Sequence, residues 1–180
     1  MKVVADLITP DAGTVTCWSG MKIAYVSQDQ NLFARTIREN ITYGAKVAVS
    51  DEEIWAALHA ANIDTFIKSL PNGLDETLVE GEKTVSGGQL QRLHLAHLFC
   101  TWKSADLVLL DECLSALDAK SRDLLINRLE SFLEGKTALV ITHHSEMLRL
   151  CTEIHDLTPE TETLLHPTHS RRHLRTSIYI

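Results

Sequence analysis

Two carboxylates stand side by side at Asp111-Glu112, straight after the apolar run Leu107-Val108-Leu109-Leu110. A continuous apolar run that short fits a strand buried on both faces of a parallel sheet. Acids at the end of such a strand lie where open α/β sheets bind ligands. A second chemical feature precedes them. Ser86-Gly87-Gly88-Gln89 opens a stretch, Leu-Gln-Arg-Leu-His-Leu-Ala, that reads as a helix. Two glycines after a serine let backbone N–H groups approach an anion closely, and the positive end of the helix points at the same place. Ser115-Ala116-Leu117-Asp118 closes the segment. Taken singly, these features also fit a surface glycine turn and an ordinary buried strand.

In this order and at these distances they resemble the ATPase domain of ATP-binding cassette (ABC) transporters. Ser86, Gly87, Gly88 and Gln89 are similar to its signature motif, Leu107 to Glu112 to its Walker B strand, and Ser115 to Asp118 to its D-loop. Ile23-Ala24-Tyr25-Val26-Ser27-Gln28 resembles the strand leading to the Q-loop, and His143 stands at the switch histidine, with His144 beside it. Asn31-Leu32-Phe33 and Thr36 to Ile41 carry wording typical of exporters. The resemblance implies Glu112 as the base that polarises water and His143 as the contact to the γ-phosphate. It implies Asp111 and Gln28 at Mg2+, and Ser86 to Gln89 with Asp118 against the nucleotide of a second cassette. ATP and Mg2+ are the implied cofactors. The implied partners are that second cassette and a transporter membrane domain.

Composition agrees with a soluble globular class. The 180 residues are 44% hydrophobic and 23% charged, enough for one domain with a full core. A net charge of −7 argues against nucleic acid as a partner. Cys17, Cys100, Cys113 and Cys151 lie far apart without metal or disulfide spacing, which suits a reduced compartment. No apolar run approaches the roughly 20 residues that cross a bilayer. The expected location is cytoplasmic, or peripheral at the cytoplasmic face of a membrane.

The expected fold is α/β: an incomplete P-loop NTPase (ABC ATPase) fold, with a mostly parallel sheet flanked by helices and an inserted helical subdomain. The partial domain covers 1–157, the helical subdomain about 50–100, and 158–180 reads as a polar, basic tail. Met1 to Leu7 reads as the tail of a helix before the Pro10-Asp11 turn, and Thr14 to Cys17 and Lys22 to Val26 as strands. Ser50 with Glu53 forms a capping-box pattern at the start of a helix. Asp64 to Leu70 continues it until Pro71-Asn72-Gly73. His59 reads as a packed or surface residue, and Cys113 as a small packed residue. Val85 replaces the usual leucine of the signature, the segment before it is short, and His97 stands where arginine is usual. Arg122 to Leu133 reads as an amphipathic helix, with Leu124 among its inner residues, and Ala138 to Thr142 as a buried strand. Gly135-Lys136-Thr137 lacks the earlier glycine and follows a helix, so it is no phosphate loop. His166, His169 and His173 have no ligand framework around them.

No G-x-x-x-x-G-K-S/T occurs in the chain. The resemblance places that loop upstream of Met1. Its missing strand predicts an exposed edge at Ala138 to Ile141. Autonomous ATPase activity is therefore not expected. Three readings follow: a partial exporter cassette that couples ATP to transport in the complete protein, a non-enzymatic partner lending the signature in trans, or an interaction module docking through Gln28 to Ile41.

Overall fold

The computed structural model describes residues 1–28, 31–78 and 85–155, and the backbone of 175–179. Residues 79–84 before the signature and 156–174 of the expected tail, including the three histidines, lie outside the described residues. The chain divides into two compact units. One holds Met1–Gln28, Ser104–Glu112 and Leu133–Ile180; the other holds Asp29–Lys103 and Cys113–Phe132.

The first unit is a parallel sheet. Its strands are β1 (Ile23–Val26), β2 (Leu107–Asp111), β3 (Thr137–Ile141), β4 (Glu153–His155) and β5 (Arg175–Tyr179). Their spatial order is β1-β2-β3-β5-β4. Leu107 to Leu110 are all buried, as a central strand covered on both faces requires. β1 alternates half-buried and buried residues. Asp106 fixes where β1 and β2 begin: its carboxylate accepts from the Lys22 N–H at 2.9 Å, and its own N–H donates back to the Lys22 carbonyl at 2.9 Å.

Three expectations are corrected here. Thr14 to Cys17 forms no strand and is exposed. The β3 edge at Ala138 to Ile141 is covered, because β5 pairs with β3 in parallel, Ala138 opposite Thr176 and Ile141 opposite Tyr179. The end of the chain thus contributes a strand, where its polar composition suggested only a solvated tail. Met1 to Leu7 takes the bonding of a helix C-terminus. Leu7 N–H donates to the Lys2 carbonyl and Asp6 N–H to the Val3 carbonyl, with Asp6 at φ 58°. This is the Schellman pattern.

The second unit is helical, with α1 (Ile37–Thr42), α2 (Asp51–Ala60), α3 (Asp64–Ser69), α4 (Gly87–Thr101) and α5 (Ala119–Leu133). Capping boxes start α1 at Thr36, α2 at Ser50 and α4 at Ser86. The expected single helix through Leu70 is two. Asn62 at φ 55° ends α2, with Ile63 N–H donating to the Leu58 carbonyl and Asn62 N–H to that of His59. On α5, Leu125, Ile126 and Leu129 are fully buried while Leu124 is exposed, which corrects its expected place. Gly135 at φ 73° follows the end of that helix, so Gly-Lys-Thr is a helix exit.

α1 and α2 pack on α4. One contact shows how. The carbonyl of Ile41, left without an intrahelical donor at the end of α1, accepts from Thr101 Oγ1 at 2.9 Å and from His97 Nδ1 at 3.0 Å. Trp102 Nε1 donates to His97 Nε2 at 3.3 Å. One ring nitrogen donates and the other accepts, so His97 is neutral here. Burial lowers its pKa. His94, one turn earlier, is pushed down to about 4 by burial and by His97.

A folded-state pKa below the unfolded value of about 6.5 means that the folded chain binds fewer protons. Stability contributed by neutral His94 is therefore complete above pH 6.5 and is lost as pH falls toward 4. Urea unfolding should lose up to about 1.4 kcal/mol per pH unit in that window. His94→Leu should flatten most of the slope. An unchanged slope in that variant would place the titrating group elsewhere.

Candidate functional site

The register of the sheet lines up the ends of three strands. Val26 lies opposite Leu110, and Asp111 opposite Ile141. In parallel strands this brings three carboxyl ends level: Gln28 beyond β1, Asp111-Glu112 at the end of β2, and His143 beyond β3. The ladder runs one residue further, since Glu112 N–H donates to the Ile141 carbonyl at 3.0 Å. Glu112 itself adopts φ 51°. That conformation is uncommon for a side-chain-bearing residue and costs on the order of 1 kcal/mol. It accompanies a side chain carried onto the next strand's exit: Glu112 Oε2 sits 2.8 Å from Nδ1 of His143.

Asp111 is half-buried and accepts from the Tyr25 hydroxyl at 3.0 Å. Gln28 is exposed. A carboxylate and an amide oxygen are the donors that a hard cation such as Mg2+ takes. His143 is exposed and stacks beside His144, with ring centroids 4.0 Å apart. The His144 N–H donates to Thr142 Oγ1 at 3.0 Å, which fixes the turn leaving β3.

The second unit builds its own cluster at the start of α4. Ser86 Oγ accepts from the Gln89 N–H at 3.3 Å, and Gln89 Oε1 accepts from the Ser86 N–H at 2.7 Å. The two polar side chains of the signature-like motif thus cap each other. The Gly87 and Gly88 N–H groups remain at the open, positive end of the helix. Gly88 also has a steric reason to be glycine. A Cβ there would come within 3.2 Å of the Ala116 carbonyl oxygen and of Leu117. Gly87 has ordinary room, 3.6 Å to Ala116.

An open cleft is lined by Ser86 to Gln89, Arg92 and Ala116 to Asp118. Asp118 caps α5, accepting from the Ser121 hydroxyl at 2.6 Å and from its N–H at 3.0 Å. Those bonds hold its carboxyl below the usual carboxylate range.

Two residues that the sequence reading did not single out hold this cluster. Gln91 is buried, donates to Ser115 Oγ at 2.9 Å and accepts from the Ala116 N–H at 2.9 Å. Arg92 donates to the Asn62 carbonyl at 3.1 Å and to Ser121 Oγ at 2.7 Å, 4.0 Å from Asp118. Their signal in the sequence is faint: a polar pair one turn after the glycines, on a helix otherwise largely apolar. Cys17 is exposed, but the other three thiols are poor nucleophiles. Cys113 is buried, and burial pushes the Cys151 thiol up to about 12 and raises that of Cys100.

The comparisons with known proteins point one way. The family model for the ABC transporter matches residues 1–115. An uncharacterized ABC transporter ATP-binding protein of Bacillus subtilis (strain 168), YwjA, is 40% identical over 68% of this chain and 21% of its own. The mitochondrial potassium channel ATP-binding subunit of Mus musculus is 39% identical over 81% of this chain and 22% of its own. The structure of a bacterial Atm1-family ABC exporter with ATP bound aligns with a TM-score of 0.64 and 31% identity, covering 71% of this chain and 22% of that one. The chain spans about a fifth of the length of these relatives.

Gln91→Leu should remove both bonds to the Ser115-Ala116 turn and leave the Ala116 N–H unpaired, lowering stability by about 1–3 kcal/mol. Ser86→Ala should cost about 1 kcal/mol through the lost cap. Urea unfolding of the two variants checks the order; equal effects would mean that the buried clamp carries no special share.

Proposed function

Because the chain belongs to the ABC transporter family and shares the ABC ATPase fold, with ATP-binding domains of exporters among its relatives, we propose that it works as part of an exporter-type cassette whose acid and switch histidine act on ATP in the complete transporter. The observation that carries this reading is the level array Gln28, Asp111, Glu112 and His143, with Glu112 and His143 already in contact. Phosphoryl transfer asks a protein for positioning and charge neutralisation more than for covalent chemistry. Glu112 takes the role of the base beside the attacking water, within reach of a group on the next strand. His143 faces the γ-phosphate. Asp111 and Gln28 supply oxygen donors for Mg2+, which when bound neutralises phosphate charge.

Ser86 to Gln89 serve a different nucleotide. The exposed end of α4, with its two glycine N–H groups, suits the γ-phosphate of ATP held by a second cassette. The phosphate loop and its lysine are not among the 180 residues. The grip on the phosphates must then come from another segment, upstream in the same gene or in a partner. The corresponding place of work is the cytoplasm or the cytoplasmic face of a membrane, next to a transporter membrane domain. No described helix is long and apolar enough to cross a membrane.

The test is an ATPase assay of the 180-residue chain alone and mixed with an exporter cassette that contains a phosphate loop. Turnover should be at background alone and rise on mixing, and Ser86→Arg should abolish the rise. Turnover by the chain alone that vanishes with Glu112→Gln would overturn the dependence on a second phosphate-binding segment. A rise that survives Ser86→Arg would overturn the role of the signature.

A further inference from the structure

Glu112, His143 and His144 converge on one point. One ligand atom from each, a carboxylate oxygen and two imidazole nitrogens, lies within 4.8 Å of the others. We propose that these three side chains form a site for a borderline divalent transition ion, of which Zn2+ is the type. The donor set is two nitrogens and one oxygen. Imidazoles favour Zn2+ and its neighbours over Mg2+ or Ca2+, which take oxygen. Zinc sits about 2.0–2.2 Å from such donors, so its ligands in a tetrahedral site stand roughly 3.3 Å apart. The Glu112–His143 pair, at 2.8 Å, opens slightly to admit the ion, and the third nitrogen closes by about 1.5 Å or less.

The backbone prepares these positions. Glu112 is bonded to the Ile141 carbonyl through its N–H and held at φ 51°. His144 is tied to buried Thr142, and the two histidine rings already lie against each other. Three protein ligands leave a fourth position for water, as in open zinc sites. His144 distinguishes this site from a simple acid–histidine pair, because it supplies the second nitrogen. The site stands on these three side chains and does not require the nucleotide reading. Where that reading also holds, the metal ion and ATP chemistry would compete for Glu112 and His143.

The experiment is calorimetric titration of the full chain with Zn2+ in the absence of nucleotide, repeated with Co2+ while its visible absorption is followed. One strong site per chain is expected, at about micromolar affinity or tighter. Co2+ should give the intense visible bands of a four-coordinate ion. His144→Ala and Glu112→Gln should each weaken Zn2+ by at least about tenfold. His155→Ala, at the half-buried end of β4, and replacement of His166, His169 and His173 by Asn should leave it unchanged. Unchanged affinity in His144→Ala, or loss in either control, would overturn the site. Should His144→Ala fail to fold, mass-spectrometric mapping of histidine modification on the wild-type chain decides. Zn2+ must shield His143 and His144 and leave His59 reactive; equal reactivity with and without the ion refutes the proposal.

Discussion

Parallel pairing without slippage is the constraint on which the first unit depends. β2 is buried along Leu107 to Leu110, and its neighbours on either side start with it. A slip of one residue against β3 would carry Asp111 and Glu112 out of line with His143. The side chains that could do chemistry form no continuous sequence motif. They come from three strand exits that the register brings level, and Glu112 meets His143 across two of them. Asp106 at the entrance and the bond from Glu112 to Ile141 at the exit fasten the same strand at both ends.

Polar side chains with two jobs do the fastening in the helical unit. Gln91 uses its amide nitrogen and oxygen on consecutive residues, Ser115 and Ala116. Asn40, also buried, accepts from the Phe33 N–H at 2.9 Å and donates to the Thr36 carbonyl at 2.9 Å, so the turn before α1 is set by the helix it precedes. Arg38 links Asp51 and Asp75, but these carboxylates are exposed and such pairs add little. The buried amides matter more, because leaving their partners unsatisfied costs about 1–3 kcal/mol in each case.

What could be read in advance follows from locality. Leu107-Val108-Leu109-Leu110 declares a doubly buried strand, and Ser50 with Glu53 declares a helix start, because each signal lies within a few residues. Thr14 to Cys17 has strand-like composition but finds no ladder partner, and strand propensity is largely a record of neighbours. β5 fails the other way. Its segment looks polar and basic, yet its backbone joins β3 and β4, a pairing across the chain that no local pattern announces. Asn62 hid the break between α2 and α3, since a non-glycine residue at positive φ leaves little trace in a sequence. The candidate site splits in the same manner. The acids and glycines were visible by type and spacing. Gln91, Arg92 and the nearness of His144 to Glu112 were not, because each depends on what the fold places opposite it.

The mutual capping of Ser86 and Gln89 bears on how the start of α4 can meet an anion. Side-chain oxygens held by backbone N–H groups at 3.3 and 2.7 Å are already committed. An incoming phosphate oxygen would meet the glycine N–H groups without first breaking a bond, whereas use of the serine hydroxyl requires only that its hydrogen rotate outward while its oxygen keeps the cap. The capping box and the anion site are therefore compatible: one uses acceptors, the other donors. Glycine at both positions serves this division differently. At Gly88 a Cβ would crowd the turn at Ala116 and Leu117, which would have to give by a few tenths of an ångström, so packing favours glycine there. At Gly87 packing makes no such demand, and the case for glycine rests on letting an anion come close.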